Sequence, residues 1–307
     1  MKFYRLIILT IFFNLSLHAT ITDDFPSYKY VFNELNVNEN YIYNRDFQEF
    51  VYKNRKTYTR RFIDSVNRGG LVIPTLRELM YEKDISPLFI YLSMVESAFH
   101  TKAKSTSAAG GLWQFMPTAG REQHLKIDSI VDERYDPIKS TNAAVDYLYK
   151  IRNGLDRWYL AAMAYNCGAG CVKKSIRLSG TKDLAKLINP RNNYIRPETR
   201  KYIKKILLFA LIGENYLFKR GDNLGAMIYR FDKDRITPVR VRGGEKLYNI
   251  ASMLRINYPI LKKINMHLKK DFVPPNSNVM VNIPTSRLQM FHALYNRPRG
   301  QRVSSRF

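Results

Sequence analysis

The sequence predicts a mainly α chain that ends in a small α+β module. Three observations carry this prediction. Apolar residues recur at helical spacing through most of the first two thirds of the chain. Ser and Pro stand where such periods begin, at Ser86-Pro87 and at Pro197. Strand-like alternation is confined to the C-terminal part, in Val239-Arg240-Val241 and Val279-Met280-Val281-Asn282-Ile283.

In chain order, residues 1–19 are expected to be a signal peptide. Lys2 and Arg5 form a basic start, Leu6 to Leu17 is a short apolar stretch broken by Thr10 and Asn14, and Ala19 suits a cleavage site. The stretch is short for a membrane span, and an uncleaved anchor is the alternative. No Cys follows it before Cys167, so no lipid-bearing Cys is expected there. Residues 20–84 are expected as a lead-in, extended over the Asn- and Tyr-rich 20–44 and helical afterwards, where Phe62, Val66, Leu76, Leu79 and Met80 mark apolar faces. Residues 85–218 are expected to form a helical domain, with helices at about 86–99, 140–154, 158–166 and 198–218. Gly221 and Gly225 mark a linker over 219–236. Residues 237–286 read as a β-α-α-β module whose apolar Leu247, Ile250, Leu261 and Ile283 suffice for a separate small core. The remainder, 287–307, reads as a basic flexible tail.

The chain has 50 basic and 26 acidic residues, a formal charge of +24, which suits an anionic partner. Nucleic acid is set aside, because no basic recognition motif is present and the export segment argues against it. An anionic wall polymer suits an exported protein better, and a solvated basic surface is the competing reading.

Glu96 is the only acid in the apolar run Phe89-Ile90-Tyr91-Leu92-Ser93-Met94-Val95-Glu96-Ser97-Ala98-Phe99. On a helix begun by Ser86 and Pro87, Leu92 and Phe99 would lie one turn either side of it. Apolar neighbours disfavour the charged carboxylate, so its pKa should rise toward the range a general acid needs. A buried structural Glu, or one at a wet helix edge, is the alternative. Downstream come Gly110-Gly111-Leu112-Trp113-Gln114-Phe115-Met116-Pro117, then Ala164-Tyr165-Asn166-Cys167-Gly168, then Glu198-Thr199-Arg200-Lys201-Tyr202.

Together with Glu96-Ser97, these ordered segments resemble the family 1 lytic transglycosylases, which share a goose-type lysozyme-like catalytic domain. Val131-Asp132-Glu133-Arg134-Tyr135-Asp136-Pro137, followed by Ser140-Thr141, makes the chain similar to the membrane-bound lytic transglycosylase D branch. The resemblance covers roughly 45 to 215 and implies a lysozyme-like fold. It also implies cleavage of the peptidoglycan bond between N-acetylmuramic acid and N-acetylglucosamine, with Glu96 as the single catalytic acid and base. Substrate contacts are implied for Ser105, Gln114, Tyr165, Asn166 and Tyr202, with Tyr165 offering its ring to a sugar and its hydroxyl to Glu96. The other acids considered (Glu122, Asp128, Asp132, Glu133, Asp136, Asp146, Asp156 and Asp183) read as loop or polar-face residues. A water-using muramidase and a non-catalytic wall-binding scaffold are the alternatives. The C-terminal module resembles a LysM domain, although Glu245-Lys246 and Pro274-Pro275-Asn276-Ser277 depart from that pattern.

Cys167 and Cys171 span a Gly-containing turn, and in an oxidising compartment a disulfide is favoured over two free thiols. No His or acid pair stands at zinc-ligand spacing, so neither metal nor cofactor is expected. The expected partners are peptidoglycan strands and other cell-wall enzymes, with membrane contact only through an uncleaved start. The expected location is exported, periplasmic or cell envelope.

Overall fold

The computed structural model describes residues 20–218 and 234–295. The expected signal segment, most of the linker, and the tail from Asn296 onward lie outside the described residues.

Residues 20–44 are not extended. They form α1 (Ile21–Asp24), α2 (Tyr28–Glu34) and a 3-10 turn over Glu39–Tyr43. Their scattered apolar residues Val31, Phe32, Leu35 and Ile42 are fully buried, so tertiary packing supplies what local periodicity does not show. Next comes α3 (Arg45–Gly69). Asn44 caps it by accepting from the Phe47 N–H at 3.1 Å, and Phe47, Val51, Tyr58, Phe62 and Val66 line its buried face. Gly70, at φ 29°, ends it. Helix α4 (Val72–Glu82) follows.

The Ser86 hydroxyl accepts from the Leu88 N–H at 3.3 Å and opens a short 3-10 turn that runs into α5 (Ile90–Ser97). The sequence places this helix through Phe99, but it stops two residues earlier. Ala98 (φ 48°) and Phe99 (φ 56°) both turn into the left-handed region, and the fully buried Phe99 ring holds that conformation. Beyond α6 (Pro117–Glu122), Asp136 caps α7 (Pro137–Asn153) by accepting from the N–H groups of Ile138 and Lys139 at 2.9 and 3.0 Å. Helices α8 (Trp158–Cys167), α9 (Ala169–Ser179), α10 (Leu184–Leu187) and α11 (Pro197–Phe218) complete the helical body. Ile203, Leu207, Ala210 and Leu211 bury α11 against α2, α3, α5 and α8, which makes it the central helix.

Strands β1 (Ile236–Arg240) and β2 (Met280–Pro284) pair antiparallel, with Ile236 opposite Pro284 and Arg240 opposite Met280. Between them lie α12 (Leu247–Met253) and α13 (Tyr258–Lys263). The Gly243-Gly244 turn faces the Pro274-Pro275 loop closely: a Cβ on Gly243 would stand 2.7 Å from the Pro275 Cα. The core of this module is not separate. The Asp132 N–H donates to the His267 carbonyl at 2.9 Å, and the Lys269 N–H donates to the Ile130 carbonyl at 3.0 Å. The Ile236 N–H reaches the Thr75 hydroxyl at 2.9 Å, and the buried Asn282 amide donates to the Asp136 carboxylate at 3.2 Å. Polar side chains that a free module would have to leave wet or unpaired are thus satisfied by the helical body. The segment read as tail also differs from expectation. Residues 288–295 form α14 (Leu288–Tyr295), whose Phe291 and Tyr295 are buried. Among the described residues, no helix is long and apolar enough to cross a membrane.

Candidate active site

The turn after α5 leaves Glu96 at the last helical positions, partly buried, facing α11. The Tyr202 hydroxyl, on α11, donates to its Oε1 at 2.5 Å. Burial pushes the Glu96 carboxyl up to about 7; the Tyr202 hydroxyl and the Lys205 ammonium pull it down, and the Glu198 charge adds a further push. The same burial, helped by the Glu96 charge, holds the Tyr202 and Tyr165 hydroxyls well above the usual phenol range, so both remain neutral donors.

One hydroxyl ties the α5 helix to the loop that follows it, and a second bonds back within the helix. Ser93 donates to the Leu112 carbonyl at 3.0 Å, and Ser97 donates back to the Ser93 carbonyl at 3.2 Å. The loop itself requires glycine at 111: φ is 77°, and a Cβ there would come within 1.8 Å of the Arg134 carbonyl oxygen. Arg134 ties the loop from the other side. Its guanidinium donates to the Ala108 and Phe115 carbonyls at 2.7 and 3.0 Å and grips Asp132 through two bonds of 3.0 and 2.8 Å.

Glu96, Tyr202 and Tyr165 come together, but the Tyr165 hydroxyl does not serve Glu96. It donates to the Trp113 carbonyl at 2.8 Å, which fixes the ring at the base of the site. Asn166 accepts from the Thr199 hydroxyl at 2.7 Å, so its amide oxygen is committed and its NH2 group is left for another acceptor. Gln114, at φ 49°, uses its NH2 on the Gly111 and Ala103 carbonyls at 2.8 and 3.2 Å, leaving its Oε1. Ser105 lies in the loop and accepts from the Ala109 N–H at 2.9 Å, with no bond to Glu96. Trp113 is core, its indole N–H bound to Thr141 at 2.9 Å, whereas Met116 is exposed. Cys167 and Cys171 form a disulfide with Cα atoms 5.9 Å apart, across the turn joining α8 to α9 beside Asn166.

Asp132 and Asp136, read from sequence as loop or polar-face acids, are buried, one held by Arg134 and the other capping α7. Sequence reasoning also passed over Lys205 and Glu214. Lys205 lies three positions after Tyr202, a helical spacing that brings it to the same face. Glu214 is buried, its carboxyl raised by burial, and it accepts from the Tyr91 hydroxyl at 2.7 Å. It is no partner for Glu96. Twelve residues of α11 separate it from Tyr202, roughly 18 Å along the axis, and Tyr91 points away from Glu96 around α5. Glu198, exposed at the first turn of α11, is the other acid whose charge reaches Glu96.

Part of this chain is similar to known proteins. The chain is 29% identical over 197 residues to the membrane-bound lytic murein transglycosylase D of Escherichia coli K12, which covers 64% of this chain and 42% of that protein. It is 35% identical over 86 residues to a putative tributyltin chloride resistance protein of an Alteromonas strain, covering 28% of this chain and 42% of that one. The chain thus spans less than half the length of the curated relatives it matches. Among solved structures, an inactive mutant of the lytic transglycosylase Slt from Pseudomonas aeruginosa aligns at 25% identity and TM-score 0.38, over 46% of this chain and 23% of that one. The 70 kDa soluble lytic transglycosylase of Escherichia coli aligns at 23% identity and TM-score 0.40, over 48% and 24%. Residues 77–188, which hold Glu96, the Gly110–Met116 loop, Tyr165 and Asn166, match the family described as the transglycosylase SLT domain.

Proposed function

We propose that this protein is a peptidoglycan lytic transglycosylase of the cell envelope, with a lysozyme-like catalytic domain and Glu96 as its single acid and base. The observation that carries the reading is the Glu96–Tyr202 pair: a carboxyl inside the matched segment, raised to about 7 by burial and held by a neutral hydroxyl from the helix that follows that segment. Protonated Glu96 gives its proton to the glycosidic oxygen, and the bond from C1 of N-acetylmuramic acid to that oxygen breaks. The resulting carboxylate takes the proton from the C6 hydroxyl of the same sugar as that oxygen bonds to C1. Glu96 ends protonated, a 1,6-anhydro ring is formed, and no water is consumed. An intramolecular nucleophile has a very high effective concentration, so one carboxyl suffices. In this reading the free Oε1 of Gln114, the free NH2 of Asn166, the Ser105 hydroxyl and the Tyr165 ring contact the sugars. The C-terminal β-α-α-β module is a LysM-like unit that meets glycan through the Gly243–Lys246 turn and the facing Pro274–Ser277 loop. Export by a cleaved segment over 1–19 fits the same substrate.

The test is mass analysis of fragments released from purified wall. Wild type should give anhydro-muropeptides and Glu96→Gln almost none; wild-type fragments one water heavier would overturn the non-hydrolytic route. One observation favours that second route. Glu198 stands one helical turn before Tyr202 and is close enough to act on Glu96, so it is placed to activate a water. Under the hydrolytic reading, Glu198→Gln abolishes cleavage; under the transglycosylase reading it leaves most of it.

A further inference from the structure

A second cavity, about 300 Å³, lies between α3, α5 and α11, beside the α5 residues that flank Glu96. Its floor is apolar and buried: Tyr58, Met94 and Phe209. Its rim carries three cations, Arg61, Arg68 and Lys205, against one acid, Asp64. We propose that this cavity binds the carboxylate-bearing stem peptide of the sugar being cleaved. The proposal rests on the peptidoglycan reading and adds a substrate subsite to it.

Position comes first. Val95 and Ala98 line the cavity and flank Glu96 in the chain. Lys205 also lines it, and its charge acts on the Glu96 carboxyl. N-acetylmuramic acid is both the sugar whose C1 reacts and the sugar that bears the peptide, on its O3 lactyl group. A peptide leaving that ring therefore starts within about a sugar's width of Glu96, beside the α5 residues that line the cavity.

Charge comes second. Among the described residues the Arg61 guanidinium and the Lys205 ammonium make no direct ion pair or hydrogen bond, although the Glu96 and Glu198 charges act on Lys205 from further off. The nearest fixed contact of Arg61 is the Tyr58 ring, 5.6 Å from the ring centroid. Arg68 is different: its Nε donates to the Ala98 carbonyl at 3.0 Å and its Nη2 to the Ser65 hydroxyl at 3.2 Å, so it shapes the rim. Burial, with Lys201 and Arg61 nearby, lowers the Lys205 ammonium from its usual range. Three cations face one rim acid, Asp64, and a ligand carboxylate between Arg61 and Lys205 offsets the repulsion between them. A stem peptide offers free carboxylates next to small alanine methyl groups, which match the cationic rim and the apolar floor. Arg61 and Arg68 lie on α3, outside the segment matched to the transglycosylase SLT domain, so that match assigns them no role.

The test uses the full chain and two substrates: peptide-bearing glycan strands and the same strands stripped of peptides by an amidase. The readout is the ratio of kcat/KM on the first to kcat/KM on the second. Arg61→Gln should lower this ratio about five- to tenfold, as expected for one charge-assisted contact at a partly wet site, and mainly through KM. Arg61→Gln with Lys205→Gln should lower it further, and Arg61→Lys should restore part of it. In parallel, binding of the dipeptide L-Ala-γ-D-Glu and of its diamide to wild type is measured by titration. The acid should bind more tightly than the diamide, and Arg61→Gln should abolish the difference. An unchanged ratio in both variants with equal binding of acid and diamide overturns the subsite. Failure of wild type to cleave either strand overturns the enzymatic reading instead, and the dipeptide titration still decides the cavity.

Discussion

Replacing Glu96 with Gln should make the protein more stable at alkaline pH while removing its activity. The folded state holds the Glu96 proton up to about 7, whereas the unfolded chain releases it near 4.5. Between these values the folded state binds more protons than the unfolded one, so stability falls as pH rises through the window. Burying this charge costs about 3 kcal/mol above pH 7, from about 1.4 kcal/mol per pH unit. Partial exposure reduces that to about 2 kcal/mol. The introduced glutamine has no charge to bury, and its amide oxygen still accepts from the Tyr202 hydroxyl. Glu96→Gln should therefore raise Tm by roughly 4–8 °C at pH 8 and by little at pH 4.5, where wild-type Glu96 is largely protonated in the folded state and half protonated in the unfolded one. Thermal unfolding followed by circular dichroism at both pH values reads this directly. A Tm difference independent of pH, or a variant less stable than wild type at pH 8, would refute the assignment of the raised carboxyl to Glu96.

Three further outcomes follow from the same geometry. Tyr202→Phe removes the donor that holds the Glu96 carboxyl down, so the alkaline limb of its pH–rate profile should shift upward by up to about one unit while kcat falls roughly tenfold. Reducing the Cys167–Cys171 disulfide, whose cysteines are four residues apart, should lower stability by about 2 kcal/mol, read by urea unfolding with and without reductant; unreduced denatured protein should show no free thiol. Arg134→Ala strands the buried Asp132 carboxylate and two loop carbonyls, so it should cost about 3–5 kcal/mol by urea unfolding, and Arg134→Lys should recover only part of that.

Part of the helical body was legible because some starts are written locally: Ser86-Pro87 and Pro197 each sit at a helix N-terminus in the structure, whereas α7 begins at Pro137, ahead of the expected start near 140. The turns that failed to show are those decided by distant contacts. Val31, Phe32 and Ile42 have no period of their own, yet packing against later helices makes 20–44 helical. The end of α5 at Ser97 depends on Phe99 being buried in a left-handed conformation that no local residue preference announces. The pairing of Glu96 with Tyr202 spans 106 positions, and only the resemblance brought the two together in advance. Lys205 and Arg61 escaped notice for the same reason, since a cationic rim assembled from α3 and α11 has no sequence motif.

The docked C-terminal module changes how the site should be understood. Residues 130–132 pair with 267–269, Asp132 holds Arg134, and Arg134 holds the carbonyls of the loop that carries Ser105 and Gln114. Asp136 meets the same module through Asn282 and starts α7, whose Thr141 receives the Trp113 indole N–H. Every link in this chain is a direct contact, and most of the residues involved are buried or partly buried. Such groups cannot exchange partners for water cheaply, so a shift at one end has to be absorbed by the others. A tethered binding module would raise only the local concentration of glycan. A module built into the support of this loop also sets the loop's geometry, and under the proposed function a centre that relies on one carboxyl would depend on that geometry.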